Sequence, residues 1–233
     1  MPDSLIDPEF TTQTLQKLVQ INSVNPGLDP DGPGEKEIAT CICDTLRDLS
    51  IPFEKETLAP GRVNVTARIK GSGGGKSLML NAHTDTVGVA GMKEPFSGRI
   101  DGNLLYGRGS YDMKGSIAAI LAAAKALKEN DVQLKGDLII SFVADEEHES
   151  IGAQALVKNL TADAAIVTEP TDLNLCLAHR GFGVFKITTE GKTAHGGRHT
   201  QGIDANMHMG LLLAELHALS KRLPKENRHP LCG

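Results

Sequence analysis

The chain contains no tryptophan and few other aromatic residues, and this scarcity narrows its possible functions. Aromatic residues make up only 3% of its 233 residues, so a platform of rings for stacking nucleic-acid bases is not expected. The formal net charge of -5 also lacks the positive excess with which proteins bind nucleic acids or anionic membranes. The sequence therefore predicts neither a nucleic acid nor a membrane as a partner.

Long apolar runs are also lacking, and the first residues do not show the pattern of a leader peptide. No run reaches the roughly 20 apolar residues that cross a bilayer, and the acidic start of the chain has neither the basic nor the apolar part of a signal peptide. The chain has only four cysteines, Cys41, Cys43, Cys176 and Cys232. Their spacing matches neither a zinc-binding motif nor a disulfide framework. We therefore expect a cytoplasmic protein with buried free thiols.

Apolar periodicity predicts alternating helices and strands. Helical spacing extends over residues 8–22, 35–49, 116–127 and 151–160, and strand patterns extend over residues 63–69, 77–82, 137–144 and 164–168. Residues 99–106, with Asp101-Gly102 inside them, are typical of a hairpin. The alternation predicts the α/β fold class, with a largely parallel sheet flanked by helices on both faces.

The pattern changes in the last quarter of the chain. A strand-like stretch over residues 175–190, interrupted around Phe182, precedes a helical pattern over residues 203–219. We therefore predict two domains, residues 1–177 and residues 178–233.

Four short stretches place histidine or acidic residues where apolar runs end. They read Asn81-Ala82-His83-Thr84-Asp85, Gly107-Arg108-Gly109-Ser110-Tyr111-Asp112, Asp145-Glu146-Glu147-His148 and Val167-Thr168-Glu169-Pro170. In an α/β protein, groups at the carboxyl ends of strands converge on one crevice. Several carboxylates meeting there would repel one another unless a cation neutralised them. The sequence therefore predicts a site for two metals, and hydrolysis as its chemistry.

The first two stretches, taken singly, also permit ordinary explanations. His83 could bind a metal while Asp85 orients its imidazole, or both could belong to a solvated strand end. Asp112 could bridge two cations with its two oxygens, or it could cap the helix that follows.

The later candidates have alternatives of the same kind. Of Glu146 and Glu147, one could bind a metal while the other holds the attacking water, or both could lie in a solvated loop before a helix. Glu169 could be a ligand or a surface acid, and His195 could polarise a substrate carbonyl or be a surface histidine. The joint pattern of four suitable strand or loop ends favours the metal site.

Two glycine-rich stretches raise the question of nucleotide binding. Gly107-Arg108-Gly109 begins like a dinucleotide loop, but Asp112 replaces the third glycine, and its carboxylate would repel a pyrophosphate. Residues 71–77 are one residue short of a phosphate-binding loop and are typical of a turn. The sequence therefore disfavours a nucleotide-binding protein.

The order of these segments resembles the metallopeptidase and deacylase family of acetylornithine deacetylase, succinyl-diaminopimelate desuccinylase, aminoacylase and carboxypeptidase G. The matching segments cover nearly the whole chain: Leu80–Val87, Gly107–Gly115, Asp145–Glu147, Thr168–Pro170, Gly191–His195 and Gly202–Asn206. The resemblance implies a zinc-exopeptidase-like catalytic domain and a smaller inserted α+β lid or dimerisation domain, which residues 178–233 would begin.

The resemblance also implies a role for each candidate residue. The metal ligands would be His83, Asp112, Glu147 and Glu169. Asp112 would bridge two divalent ions, zinc first, with cobalt or manganese as alternatives. Asp85 would support His83, and Glu146 would be the general base. His195 would lie in the lid and help to hold the substrate or the tetrahedral oxyanion.

The function implied by the resemblance is hydrolysis of a linear amide bond in an N-acyl amino acid, by a protein that forms a homodimer at full length. A dipeptidase or a carboxypeptidase acting on short peptides is the alternative within the family. The family's last ligand histidine lies far downstream, and His229 does not match it. The chain therefore looks like an N-terminal piece, and an inactive fragment or a non-catalytic binding module is a further alternative.

Overall fold

The computed structural model describes residues 5–179, 181 and 183–226. Expectations placed on residues 1–4, Phe182, His229 and Cys232 fall outside these ranges. The chain divides into two compact units, a first unit of Met1–Pro170 and a second unit of Thr171–Gly233. The predicted domain division after residue 177 stays a prediction.

The described residues of the first unit contain four α-helices and seven strands. The helices are α1 (Pro8–Gln20), α2 (Lys36–Asp48), α3 (Gly115–Glu129) and α4 (Ile151–Asn159). The strands are β1 (Phe53–Ala59), β2 (Arg62–Ile69), β3 (Leu78–His83), β4 (Arg99–Asp101), β5 (Leu104–Tyr106), β6 (Leu138–Val143) and β7 (Ala164–Val167). Strands β4 and β5 pair as the predicted hairpin.

Five strands form the main sheet, in the order β1-β2-β6-β3-β7. Strand β3 is parallel to both β6 and β7, whereas β2 is antiparallel to both β1 and β6. All strands of this sheet except β2 therefore run in one direction, which confirms the predicted α/β class with a largely parallel sheet. Strand β1 was not predicted, because it is polar and largely exposed at the edge of the sheet and so lacks an apolar pattern.

Helices cover both faces of the sheet. Ile140 and Phe142 of β6 pack into a cluster with residues of α1, α2 and α3. Ile139 and Val143 point to the opposite face, because side chains alternate along a strand, and there they contact Leu156 of α4. This two-sided burial stabilises β6 at the centre of the sheet, and it leaves the ends of the strands as the place where polar groups can gather.

The second unit contains one long helix, α5 (Ala205–Glu226), within its described residues. A short 3-10 turn (Gly196–Gln201) and an isolated bridge between Lys192 and Ile203 precede it. The prediction of a strand over residues 175–190 is wrong for the residues described there, which form no strand. An extended segment needs a neighbouring strand for its hydrogen bonds, and the described residues of this unit offer that stretch none.

The cysteines agree with the expectation only in part. Cys41, Cys43 and Cys176 are free thiols, as predicted. Cys43 is buried and Cys41 is partly buried, but Cys176 is exposed, so the prediction of burial is wrong for Cys176. Among the described residues, no helix combines the length and the apolarity needed to cross a membrane.

Candidate metal centre

Three parallel strands end side by side and bring the predicted ligands together. His83 is the last residue of β3 and pairs in register with Val143, the last residue of β6. Asp145-Glu146-Glu147 follows β6, and Glu169 follows β7. Asp112 comes from a turn just before α3. The convergence that the sequence predicts is therefore present in the first unit.

His83 lies at the centre of this group and is almost completely buried. Its Nε2 atom is 3.0 Å from Oδ1 of Asp112, 3.7 Å from Oε1 of Glu169 and 3.8 Å from Oε2 of Glu146. Ligand atoms of His83, Asp112 and Glu147 lie within 4.8 Å of one another, as do those of His83, Glu146 and Glu169. Imidazole nitrogen and carboxylate oxygen are ligands that zinc and related divalent ions accept. The arrangement can therefore hold a divalent cation.

Asp85 orients the imidazole of His83 from the side opposite to the carboxylates of the site. The Nδ1 atom of His83 donates to the backbone carbonyl of Asp85 at 2.9 Å, and Oδ1 of Asp85 is 3.5 Å from the same nitrogen. This hydrogen bond leaves Nε2 directed at the carboxylates, which is the arrangement of metal-binding histidines. The side chain of Asp85 mainly accepts hydrogen bonds from Asn25 and from the backbone N–H groups of Glu146 and Glu147.

Carboxylates outnumber the single imidazole in this group, and the pKa values of its members are shifted. Burial would lower the pKa of His83, but the hydrogen bonds to Asp112 and Asp85, together with the negative charges of Asp85 and Glu169, outweigh it and raise the pKa to about 11. Burial raises the pKa of Glu169 to about 7, and the negative charges of nearby carboxylates add to it although His83 opposes them. Burial also raises the pKa of Glu147. Clustered carboxylates that raise one another's pKa values form a site that a cation would stabilise.

The turn that carries Asp112 is fixed by its neighbours. Gly109 has a φ of 79°, and a Cβ atom there would lie 2.8 Å from Cγ2 of Thr86, so only glycine fits without displacement. Lys114 is 1% exposed, and its ammonium donates to the backbone carbonyl of Ile21 at 2.8 Å. Burial lowers the pKa of Lys114 to about 7. These contacts anchor the turn against the end of α1.

His195 belongs to the second unit. Its side chain is exposed, and its Nδ1 atom accepts a hydrogen bond from the backbone N–H of Gly197 at 3.1 Å. The role predicted for His195 stays a prediction.

Three buried polar residues near the candidate metal centre were not predicted from the sequence. They are Glu35, Arg62 and Asn25, and Arg62 donates hydrogen bonds to Glu35, to Asn25 and to Asp145. Each stands in a loop or at the start of an element, where a polar residue is normally solvated, so no sequence pattern distinguishes them.

The chain is similar to the peptidase family M20/M25/M40, in agreement with the resemblance seen in the sequence. The model of that family matches residues 79–192, and the model of the peptidase dimerisation domain matches residues 177–229. The first match contains all four predicted metal ligands and Glu146.

Individual relatives are similar over most of this chain. The acetylornithine deacetylase of Aliivibrio fischeri is 32% identical over 228 residues, which cover 96% of this chain and 59% of that protein. The carboxypeptidase G2 of Pseudomonas sp. is 34% identical over 194 residues, which cover 79% of this chain and 45% of that protein. A tripeptidase structure from Staphylococcus aureus has the same fold, with a TM-score of 0.63 at 20% identity, covering 91% of this chain and 57% of that one. The chain thus spans about half the length of the relatives it matches.

Proposed function

We propose that the protein is a metal-dependent hydrolase that cleaves the linear amide bond of an N-acyl amino acid. The observation that carries this proposal is the convergence of His83 with Asp112, Glu146 and Glu169 where parallel strands end. The similarity to the peptidase family and to acetylornithine deacetylase supports the reaction class.

The metal ligands in this proposal are His83, Asp112, Glu147 and Glu169, and the metals are two divalent ions. Zinc is the first candidate because the donors combine one imidazole with carboxylates, and cobalt and manganese accept the same donors. Divalent ions bound here would polarise the amide carbonyl and lower the pKa of a water molecule.

Glu146 is the general base in this proposal. Its side chain is 46% exposed, so it can meet a substrate, while Asp85 accepts a hydrogen bond from its backbone N–H at 3.0 Å. Glu146 would accept a proton from the attacking water and return it to the leaving amine. Asp85 would hold the imidazole of His83, and His195 would help to hold the substrate or the oxyanion.

Replacement of Glu146 tests the reaction. We expect Glu146→Gln to lower kcat for an N-acetyl amino acid by about 10²–10⁴-fold, because the glutamine amide cannot accept the proton. Zn²⁺ binding, measured by isothermal titration calorimetry, should persist, because the predicted ligands are retained. The matched control is Glu149→Gln, an exposed acid of the same turn, which should keep its activity. Full activity in Glu146→Gln, or activity without metal, would contradict the proposal.

A dipeptidase or carboxypeptidase is the second candidate, because carboxypeptidase G2 of Pseudomonas sp. is also similar to the chain. Comparison of kcat/KM for N-acetyl amino acids and for dipeptides distinguishes the two functions. Zn²⁺ binding without hydrolysis of either substrate would favour the non-catalytic binding module.

We also propose that the protein forms a homodimer, and the match of the dimerisation-domain model to residues 177–229 supports this. The cytoplasmic location expected from the sequence stays a prediction.

A further inference from the structure

A network of buried polar side chains lies beneath the loop of residues 145–150, which we call the acidic turn. The members of this network are less than a tenth exposed: Asn25, Glu35, Arg62, Asp85 and Asp145. Buried charges are tolerated when they are paired and hydrogen-bonded. The reaction proposed above uses none of the first three residues, so their burial needs a separate explanation.

Arg62 uses all three of its guanidinium nitrogens in this network. Its Nε and Nη2 atoms donate to the two oxygens of Glu35 at 2.8 and 2.7 Å. The Nη2 atom also donates to Oδ1 of Asp145 at 2.8 Å, and Nη1 donates to Oδ1 of Asn25 at 3.1 Å. A lysine ammonium is a compact charge without this planar fork, and it cannot make the same set of contacts.

Asp145 connects the side chain of Arg62 to the backbone of the acidic turn. The Oδ2 atom of Asp145 accepts hydrogen bonds from the backbone N–H groups of Glu149 and Ile151, both at 3.3 Å. Its backbone carbonyl accepts from the N–H of Ser150 at 2.6 Å. The backbone of Asp145 has a φ of 66°, a conformation that a non-glycine residue keeps only when its surroundings hold it.

Asn25 connects the same network to the other side of the acidic turn. Its Nδ2 atom donates to Oδ2 of Asp85 at 2.6 Å and to Oδ1 of Asp145 at 2.9 Å. The carboxylate of Asp85 accepts from the backbone N–H groups of Glu146 at 3.0 Å and Glu147 at 3.1 Å. The backbone of the acidic turn is therefore held from two directions by one connected network.

We propose that Arg62 is a positioning residue for the metal centre. With Glu35 and Asn25 it holds the backbone from which Glu146 and Glu147 extend. The carboxylate of Glu146 is partly exposed, so its position depends on the backbone more than on side-chain packing. The importance of Arg62 for metal binding rests on the function proposed above, whereas its hold on the acidic turn does not.

Arg62→Lys, compared with Arg68→Lys, tests this proposal. Both arginines belong to β2, but Arg68 makes a single ion pair with Asp137 and is 45% exposed. In the metal-free protein we expect Arg62→Lys to accelerate amide hydrogen exchange at Glu146 and Glu147 by about tenfold or more. The amides of β6 should exchange at an unchanged rate in this variant. In Arg68→Lys, exchange should be unchanged at all of these amides. Unchanged exchange at the two glutamates, or an equal increase along β6, would overturn the proposal.

The second measurement is the Zn²⁺ affinity of the same variants. Residues that orient ligands typically contribute about 10–100-fold to metal affinity, so we expect a loss of that size in Arg62→Lys and none in Arg68→Lys. Equal affinities in the two variants would refute the link to metal binding. A parent protein that binds no Zn²⁺ would reject the proposed function, and the exchange measurement would still decide the hold on the acidic turn.

If Arg62→Lys does not fold, Asn25→Ser provides the same hydrogen-exchange test. It removes the donor that joins Asp85 to Asp145 and keeps the pair of Arg62 with Glu35. Faster exchange confined to Glu146 and Glu147 supports the proposal, and unchanged exchange overturns it.

Discussion

At the scale of single residues, the imidazole of His83 makes two different kinds of hydrogen bond, one with each ring nitrogen. One ring nitrogen meets the backbone carbonyl of Asp85 and the other meets the carboxylate of Asp112. The backbone contact does not depend on ionisation, whereas the carboxylate contact does. The orientation of the imidazole is therefore set by the fold, and its charge is set by the acids around it.

Glu35 is the residue at which a pH dependence of stability can be predicted. Burial raises the pKa of Glu35 to about 7 from its ordinary value of 4.5, although its hydrogen bonds and ion pair with Arg62 oppose the rise. Asp85 adds a negative charge nearby, and Asp145 donates its backbone N–H to Glu35. The folded state therefore binds a proton more tightly than the unfolded state.

The sign of the effect follows from this difference. Between about pH 4.5 and 7 the folded state holds more protons at Glu35, so this residue lowers the free energy of unfolding as the pH rises, by up to about 1.4 kcal/mol per unit. Glu35→Gln should remove that contribution. The free energy of unfolding, measured with urea, should then fall less between pH 5 and pH 7 in the variant than in the parent. Equal losses in both proteins would contradict the prediction.

At the scale of elements, the start of α4 is packed directly against the end of β6. The N–H of Gly152 donates to the carbonyl of Ala144 at 3.1 Å, and the side chain of Asn64 donates to the carbonyl of Gly152 at 2.9 Å. A Cβ atom at Gly152 would lie 2.3 Å from the carbonyl oxygen of Ala144. The acidic turn connects these two elements, so their close approach also constrains the turn.

Gly152→Ala should therefore destabilise the first unit. We expect a loss of about 1–3 kcal/mol, because the backbone must shift to admit the methyl group. The matched control is Gly210→Ala in α5, where a Cβ atom would meet nothing within 4 Å and the change should stabilise the helix by up to about 1 kcal/mol. Thermal unfolding followed by circular dichroism measures both. Equal effects of the two substitutions would show that the close approach in α4 has no energetic consequence.

At the scale of the whole molecule, metal binding should increase the thermal stability of the protein. A ligand that binds only the folded state stabilises it by mass action, by about 2.7 kcal/mol at a hundredfold excess over Kd. We expect Zn²⁺ to raise the Tm of the protein and a chelator to reverse the effect. His83→Ala should abolish the shift, whereas His217→Ala, an exposed histidine on α5, should keep it. An equal shift in His83→Ala would place the Zn²⁺ site elsewhere.

The sequence by itself determined the α/β class, the helices of the first unit with all its strands except β1, and the meeting of His83, Asp112, Glu147 and Glu169. These features follow from local rules, because apolar periodicity predicts elements and parallel strands present their carboxyl ends at one edge. The catalytic roles of these residues stay predictions. The expected strand over residues 175–190 failed because a strand depends on a neighbour as well as on its own pattern.

Only the tertiary structure decided which residues support the site. Asn25, Glu35 and Arg62 are far from Asp145 in the chain, and none of them belongs to a motif. Their contacts exist because β2 lies beside β6 and because Glu35 stands where α2 begins. A buried ion pair needs two distant residues to be brought together away from water, and a sequence pattern of neighbouring residues carries no information on that meeting.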